Sequence, residues 1–278
     1  MIQEAVQKLV EGISLNFEES AAAMTQIMEG NATPAQFGAF VTALRLKGET
    51  VDEVAGMATV MREKSLHLST SYDLVDTCGT GGDGSGTFNI STAAAFVVAG
   101  VGVKVAKHGN RAMSGKTGSA DVLEALGANI DLPPESIAEC IAETGFGFMF
   151  AQGFHPSMRF AAGPRREIGI RTVFNLLGPL TNPAGANRQL IGVSDPSIGE
   201  LMANVLARLG CEKALIVHGN DGLDEITLST TSMIWTLESG IVTKTELSPK
   251  EFGFKESSLS SISAQDPDAS ARIIRAVF

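Results

Sequence analysis

The segment that decides the fold reads Asp73-Leu-Val-Asp-Thr-Cys-Gly-Thr-Gly-Gly-Asp-Gly84. Its first part, Asp73–Asp76, is a short apolar run that we predict to be a strand. A glycine cluster from Cys78 to Gly84 follows, and a helix is predicted over Thr92–Ala99. A strand, a glycine-rich loop and a helix in this order indicate an α/β layer whose loop can approach a ligand closely.

The same alternation of short apolar runs and helical patterns continues along the chain and predicts a mostly parallel sheet. The other predicted strands are Val101–Ala106, Gly147–Ala151, Leu190–Val193 and Ala214–His218. The helices predicted between them are Ser119–Leu126, Pro134–Glu143 and Ile198–Leu209. After Thr227 the pattern is again β-like.

Residues 1–69 predict a separate helical domain, because apolar residues recur there at helical spacing without a convincing strand. Thr33 before Pro34 is a helix N-cap signal, and Thr50 with Glu53 three residues later forms a capping box. We therefore expect a small N-terminal helical domain, 1–69, and a larger α/β domain, 70–278.

A stretch without acids follows the glycine cluster. No Asp or Glu occurs between Gly84 and Ala120, although the formal net charge of the chain is −10. Cations, hydroxyls and glycine N–H groups in this stretch complement an anion, which predicts a phosphorylated ligand. The cations are Lys104, Lys107, His108, Arg111 and Lys116.

The common nucleotide motifs do not explain this stretch. Gly79, Gly81 and Gly84 satisfy the G-x-G-x-x-G spacing, but the acid expected about 20 residues later in a dinucleotide fold is missing. The P-loop pattern is missing as well. Asp83 would repel a pyrophosphate unless it serves a sugar hydroxyl or a metal-bound water. A glycine-rich surface turn without a ligand is the alternative.

The segment Lys107-His-Gly-Asn-Arg111 follows a predicted strand, so we expect it in a loop at the carboxyl end of the sheet. There Lys107 would be a mobile point charge and Arg111 a planar fork for phosphate oxygens, with no acids to compensate them. The alternative is a solvated basic loop.

Carboxylates cluster in Asp221-Gly-Leu-Asp-Glu225, after another predicted strand. Such a cluster suits Mg²⁺, which combines one or two carboxylates with water and substrate phosphates; an acidic turn without an ion is the alternative. Arg165-Arg166 could hold a carboxylate substrate or be charges on a helix surface. His155 beside Pro156 is more typical of a structural histidine, so we assign no general base.

The bulk composition indicates a folded protein, with 44% hydrophobic and 19% charged residues. The net charge of −10 argues against a nucleic-acid or anionic-membrane partner. Three cysteines without metal-ligand spacing, and no signal peptide or apolar run of about 18 residues, lead us to expect a cytoplasmic protein.

Together these segments resemble the anthranilate phosphoribosyltransferases, and the resemblance extends along nearly the whole chain. The motifs that carry it are Asp76-Thr-Cys-Gly-Thr-Gly-Gly-Asp-Gly-Ser-Gly-Thr-Phe-Asn-Ile-Ser-Thr92, Lys107-His-Gly-Asn-Arg111, Gly118-Ser-Ala-Asp-Val-Leu-Glu-Ala-Leu-Gly127, Arg171-Thr-Val-Phe-Asn-Leu-Leu-Gly-Pro-Leu-Thr-Asn-Pro183 and Asp221-Gly-Leu-Asp-Glu225.

The resemblance implies the nucleoside phosphorylase/phosphoribosyltransferase class-II-like fold, with hinge segments near 170–187 between the domains, and a homodimer. It implies a pentosyltransferase of tryptophan biosynthesis that moves phosphoribose from 5-phosphoribosyl 1-pyrophosphate (PRPP) to the amine of anthranilate and releases pyrophosphate. The cofactor would be Mg²⁺, as two ions in each subunit.

The resemblance also implies site residues. The PRPP-binding residues would be Gly79, Gly82, Asp83, Thr87, Asn89, Ile90, Ser91, Thr92, Lys107, His108, Gly109, Asn110, Arg111, Ala112, Met113, Ser114, Gly115 and Ser119. Anthranilate would contact Gly79, Asn110 and Arg165, and the metal ions would be held by Ser91, Asp224 and Glu225.

Two departures from the family pattern affect these expectations. Gly115 stands where the family usually has a second serine, and relatives typically continue beyond the position of Phe278. We therefore expect the C-terminal part of the α/β domain to be missing, with lower stability. The alternatives are an enzyme like the pyrimidine nucleoside phosphorylases, and an inactive or nucleic-acid-binding relative of the same fold.

Overall fold

The N-terminal part of the chain is helical in a computed structural model, which describes residues 1–112 and 117–278. The helices within 1–69 are α1 (Ile2–Val10), α2 (Phe17–Met28), α3 (Pro34–Lys47) and α4 (Val51–Glu63). Thr33 caps α3, and Thr50 and Glu53 form the predicted capping box of α4. The predicted helical part is therefore confirmed.

The rest of the chain is built around one sheet, with strand order β3-β2-β1-β4-β5-β6-β7 within the described residues. Strands β1 to β5 are parallel, and β6 and β7 are antiparallel. The strands are β1 (Leu74–Gly79), β2 (Lys104–Gly109), β3 (Phe146–Phe150), β4 (Arg188–Gly192), β5 (Lys213–Gly219), β6 (Ser232–Glu238) and β7 (Ile241–Leu247).

The strand order reverses at β1. The chain proceeds from β1 to β2 and β3 on one side and then returns to β4 on the other. In sheets of this kind a crevice opens beyond the carboxyl ends of the strands where the order reverses, and ligands bind there. The topology thus places the expected site at the ends of β1 and β4.

Helices cover this sheet, and several lie close to the predicted positions. They are α5 (Ile90–Gly100), α6 (Ser119–Leu126), α7 (Pro134–Thr144), α8 (Ala151–Phe154), α9 (Arg159–Ile168), α10 (Phe174–Leu180), α11 (Gly199–Arg208) and α12 (Pro267–Val277). None of the helices in the described ranges is long and apolar enough to cross a membrane.

All five predicted strands are present, but β1 and β2 continue well past their predicted ends, Asp76 and Ala106. Strand β1 continues to Gly79, which pairs with Gly192, and β2 continues to Gly109, which pairs with Phe150. The prediction that residues 107–109 lie in a loop was therefore wrong. The ladder between β2 and β3 continues through residues 107–109, and this pairing outweighs the local glycine and charge pattern.

The two parts of the chain share one hydrophobic core. Helices α9 and α10 follow β3 in sequence but pack against the N-terminal helices. The rings of Phe37 and Phe174 lie 5.3 Å apart between their centroids. Because one core spans both parts, the domain limits near residue 69 and the hinges near 170–187 stay predictions.

Glu53 is a buried carboxylate inside the helical part, with 0% of its surface exposed. It accepts hydrogen bonds from the Leu15 N–H at 2.9 Å and the Thr50 N–H at 2.8 Å, and it pairs with the Lys47 Nζ at 3.0 Å. One side chain therefore joins three segments of the bundle.

We expect Glu53→Ala to lower the free energy of unfolding by about 3–5 kcal/mol, because it leaves the Lys47 ammonium and the Leu15 N–H without their partner. Urea denaturation measures the change. Asp52→Ala, at the exposed neighbouring position, is the control and should cost less than about 1 kcal/mol. Equal losses of unfolding free energy in Glu53→Ala and Asp52→Ala would show that the buried contacts of Glu53 do not stabilise the bundle.

His108 and His155 form a buried pair below the sheet end, with ring centroids 5.0 Å apart. Burial lowers the pKa of His108 to about 3, with the neighbouring His155 as a second cause. Burial also lowers the pKa of His155 to about 4, and the Thr181 carbonyl acts in the opposite direction. Both rings are therefore neutral at physiological pH.

We expect this pair to destabilise the fold in acid. Unfolded histidines with a pKa of about 6.5 take up protons that the folded ones exclude, so the stabilisation is complete above that pH and falls as the pH decreases. Each histidine accounts for roughly 2 kcal/mol between pH 7 and pH 5. Between pH 7 and pH 5, His155→Asn should therefore lose roughly 2 kcal/mol less free energy of unfolding than wild type.

Urea denaturation at pH 7 and pH 5 tests this prediction. Carboxyl groups that titrate in the same range affect wild type and His155→Asn equally, so their effect on stability cancels when the two proteins are compared. If wild type and His155→Asn lost equal stability, the folded His155 would have an ordinary pKa.

Candidate active site

The loop after β5 lies directly across the ends of β1 and β4. A Cβ atom at Gly79 would lie 2.7 Å from the Asp224 Oδ2, and one at Gly192 would lie 1.6 Å from the Asp224 carbonyl oxygen. Only glycine leaves room for this approach. The two strands that flank the switch point therefore end in glycines that admit Asp224.

Three carboxylates meet at this point. The Asp224 Oδ2 accepts a hydrogen bond from the Gly81 N–H at 2.9 Å. Burial, and then the charge of Asp83, raise the pKa of Asp224 to about 6. Burial, and then the charge of Asp224, raise the pKa of Glu225 to about 8, although Lys107 acts in the opposite direction. The cluster carries more negative charge than its surroundings compensate.

Helix α5 begins beside this cluster. The Asn89 side chain caps the helix by accepting a hydrogen bond from the Thr92 N–H at 3.0 Å. The backbone of Ser91, in the first turn, lies close enough to Glu225 to lower the pKa of its carboxyl, against the effect of burial. The predicted metal residues Ser91, Asp224 and Glu225 are thus brought together. A helix N-terminus next to a glycine-rich loop is a favourable position for phosphate groups.

The donor set fits Mg²⁺. Magnesium takes one or two carboxylates together with water and substrate phosphates, so it needs few protein ligands. Residues 1–112 and 117–278 contain no group of three His, Cys, Asp or Glu side chains that could hold a metal ion without further ligands. A divalent cation would relieve the repulsion among Asp83, Asp224 and Glu225 that raises the pKa of two of them.

Lys107 is not the mobile loop cation that the sequence predicted. It is fully buried in β2, where its ammonium donates to the Thr77 carbonyl and, at 3.1 Å, to the Ser91 Oγ. Burial lowers the pKa of Lys107, and the charge of Asp76 acts in the opposite direction. The lysine is therefore a fixed charge beneath the site that orients Ser91.

The expectation that Arg111 lacks compensating acids was also wrong. Its guanidinium pairs with Asp121 at 3.0 Å and with Glu124 at 2.9 Å, both on α6. The acid-free stretch ends one residue before Asp121, and the fold turns α6 back onto the arginine. Arg111 therefore braces a loop against α6.

Among the remaining predicted PRPP residues, Thr87 and Asn89 lie at the start of α5 and are joined through Thr117. The Asn89 Nδ2 donates to the Thr117 carbonyl at 3.0 Å, and the Thr117 Oγ1 donates to the Thr87 carbonyl at 3.2 Å. Ser119, at the start of α6, lies against Gly109. The predicted residues Met113, Ser114 and Gly115 lie outside the described residues.

The predicted anthranilate residues are less closely grouped. Arg165 lies on α9 with its guanidinium 5.2 Å from the Phe174 ring centroid, and burial lowers its pKa. No carboxylate of the described residues pairs with it. The Asn110 Oδ1 accepts from the Arg111 N–H at 2.8 Å. A half-buried guanidinium without a partner is suited to a carboxylate ligand.

Two residues at the glycine loop were missed by the sequence reasoning. The Arg171 Nη1 donates to the Gly81 carbonyl at 2.7 Å, and the Ser194 Oγ donates to the same oxygen at 3.1 Å. Arg171 begins one of the motifs quoted above, but nothing in its sequence neighbourhood indicates a partner some 90 residues away.

Comparison with known proteins agrees with the fold. The pattern of the glycosyl transferase family, a/b domain, matches residues 71–278, and that of the glycosyl transferase family, helical bundle domain, matches residues 3–65. The chain is 56% identical over 274 residues to anthranilate phosphoribosyltransferase of Pelotomaculum thermopropionicum, covering 98% of this chain and 79% of the relative. For that of Moorella thermoacetica the identity is 55%, with coverages of 100% and 82%.

Solved structures give the same result. The crystal structure of anthranilate phosphoribosyltransferase from Thermus thermophilus matches with a TM-score of 0.91 and 45% identity, over 98% of this chain and 81% of that one. The enzyme from Saccharomyces cerevisiae in complex with PRPP and Mg matches with a TM-score of 0.88 and 29% identity, over 99% and 80%. This chain belongs to the anthranilate phosphoribosyltransferase family.

Proposed function

We propose that this protein transfers the 5-phosphoribosyl group of PRPP to the amine of anthranilate, giving N-(5-phosphoribosyl)anthranilate and pyrophosphate. The observation that carries the proposal is the meeting of a glycine loop, the start of α5 and the Asp224–Glu225 pair at the switch point of the sheet. The same elements supply N–H donors for phosphates and carboxylates for a metal ion.

PRPP would lie between the glycine loop and the start of α5. The N–H groups of the loop and of the first helical turn would hold phosphate oxygens, and Asn89 and Thr87 would keep that turn in place. Asp224, Glu225 and Ser91 would hold Mg²⁺, which would neutralise the pyrophosphate as it leaves. Three carboxylates in the cluster support two ions, because each Mg²⁺ takes one or two.

The reaction breaks the bond between C1 of the ribose and the pyrophosphate oxygen and forms a bond from C1 to the anthranilate nitrogen, which loses a proton. Positive charge develops on the ribose and negative charge on the leaving group, so positioning and electrostatics carry the catalysis. His108 and His155 are unsuited as bases, because burial lowers the pKa of each to about 3 and about 4.

Anthranilate would be held through its carboxylate by Arg165, with Asn110 and Gly79 beside it. The support is chemical: the guanidinium is half-buried and free of carboxylate partners among the described residues. A solved structure of the Saccharomyces cerevisiae enzyme is a complex with 4-fluoroanthranilate, and it matches this chain with a TM-score of 0.87 and 27% identity.

We also propose that the protein forms a homodimer through its helical part. Val10 and Ile13, at the end of α1, and Leu46, at the end of α3, are large apolar residues with 64%, 49% and 83% of their surface exposed. Apolar side chains gathered on one part of a surface favour association with a partner.

Loss of anthranilate fluorescence on addition of PRPP, with and without Mg²⁺, tests the proposed activity. We expect turnover that depends on all three components. Phosphorolysis of uridine or thymidine without anthranilate turnover would instead identify a nucleoside phosphorylase. A shift with DNA that weakens as salt increases would indicate a nucleic-acid-binding relative.

We expect Asp224→Asn to lower kcat/KM by about 100-fold or more and to raise the Mg²⁺ concentration needed for half-maximal rate, because the amide is a weaker ligand than the carboxylate. Steady-state rates over a magnesium series measure both effects. Asp131→Asn, which removes one charge from an exposed turn, is the control and should leave both unchanged. An unchanged magnesium dependence in Asp224→Asn would remove Asp224 from the metal site.

We expect Arg165→Ala to raise the KM for anthranilate about 10-fold to 100-fold, because it removes the charge-assisted bonds to the carboxylate, and to affect the KM for PRPP much less. Varying each substrate in turn separates the two constants. Arg166→Ala, at the exposed adjacent position, is the matched control. Equal losses for both substrates would contradict the assignment of Arg165.

A further inference from the structure

Arg171 lies in the short connection between α9 and α10. The connection leaves α9 through Gly169, in the left-handed conformation with φ +67°, and enters α10 with the Thr172 N–H bonded to the Asn175 Oδ1 at 3.0 Å. Since α9 and α10 pack on the N-terminal helices, the backbone of Arg171 belongs to the helical side of the molecule.

The guanidinium of Arg171 nevertheless reaches the glycine loop of the α/β side. Its Nη1 donates to the Gly81 carbonyl at 2.7 Å and its Nη2 lies 3.4 Å from the Thr80 carbonyl. The Ser194 Oγ donates to the same Gly81 carbonyl at 3.1 Å, and the Thr80 N–H donates to the Gly192 carbonyl at 2.8 Å. The loop is thus held from β4 and from the helical side together.

The position of Gly82 shows how closely the Arg171 guanidinium approaches the glycine loop. A Cβ atom at Gly82 would lie 1.8 Å from the Arg171 Nη1, and the residue has φ +82°. Gly81, with φ +63°, would meet no atom within 4 Å. Both glycines have a left-handed backbone, but only Gly82 also needs to lack a side chain for the guanidinium to fit.

A cavity of about 130 Å³ lies at the same junction and has Arg171 in its wall. Arg45 and Glu49 line it from the end of α3, and Ser194 and Asp195 line it from the segment after β4. Arg171 therefore lies where open space between the helical side and the sheet adjoins their shared core.

We propose that Arg171 is a positioning residue that ties the PRPP-binding loop to the helical side of the molecule. By holding the carbonyls of Thr80 and Gly81, it turns the Gly81 N–H toward Asp224 and keeps the loop in one conformation. The affinity for PRPP then depends on the position of the helical side relative to the sheet. The inference rests on the proposed function, because it assigns PRPP to this loop.

Arg171→Gln and Ser194→Ala, alone and together, test the proposal. We expect Arg171→Gln to weaken Mg²⁺-PRPP binding, measured by calorimetry, by about tenfold, and Ser194→Ala by about threefold, because each removes one hydrogen bond to Gly81. The KM for anthranilate and the melting temperature should change little. Arg45→Gln, in the same cavity wall without a bond to the loop, should bind PRPP as wild type does.

The double variant, Arg171→Gln with Ser194→Ala, shows whether the two residues hold the loop together or act independently. Arg171 and Ser194 donate to the same carbonyl, so the effects of the two substitutions should be coupled. The PRPP affinity lost in the double variant should therefore differ by at least about twofold from the product of the losses in the two single variants. Independent losses, an unchanged PRPP affinity in Arg171→Gln, or equal losses for both substrates with a lower melting temperature would overturn the proposal. Failure of wild type to bind PRPP would instead reject the proposed function.

Discussion

The close approach of the Asp224 loop to the ends of β1 and β4 is the constraint on which the rest of the site depends. Glycines at 79 and 192 remove the side chains that would meet Asp224. Asp221 closes the same loop by accepting a hydrogen bond from the Thr227 Oγ1 at 2.6 Å. If either strand ended in a larger residue, Asp224 and Glu225 would move away from the start of α5 and from the N–H groups that we propose to bind phosphate.

This arrangement concentrates negative charge, and Lys107 is the buried charge that opposes it. Its charge lowers the pKa that burial raises in both Asp76, on β1, and Glu225. A buried ammonium is costly unless it is paired and hydrogen-bonded, and here it bonds to Thr77 and Ser91. One lysine cannot balance these carboxylates, which supports the proposal that the site takes a further cation.

The sequence predicted what local patterns determine. The capping box of Thr50 and Glu53 and the parallel strands follow from spacing and pattern. The carboxylate cluster indicated Asp224 and Glu225, the family resemblance added Ser91 as a proposed metal residue, and the structure brings these three residues together. The wrong expectations concerned Lys107 and Arg111, whose partners are fixed by strand pairing and by the return of α6. A hydrophobic pattern predicts that a strand exists. It does not predict the buried acid with which a lysine in that strand interacts.

The shared core gives the link between Arg171 and the loop its physical basis. Phe174 lies three residues from Arg171 and packs on Phe37 of α3, while Val193 lies next to Ser194 and belongs to the same core. The two donors to the Gly81 carbonyl are therefore anchored in one packed interior that includes residues from both sides. Close-packed interiors transmit strain, so under our proposal a shift of α9 and α10 would reach the glycine loop through Arg171. The side of the molecule that carries Arg165 would then also influence how the phosphoribosyl donor is held.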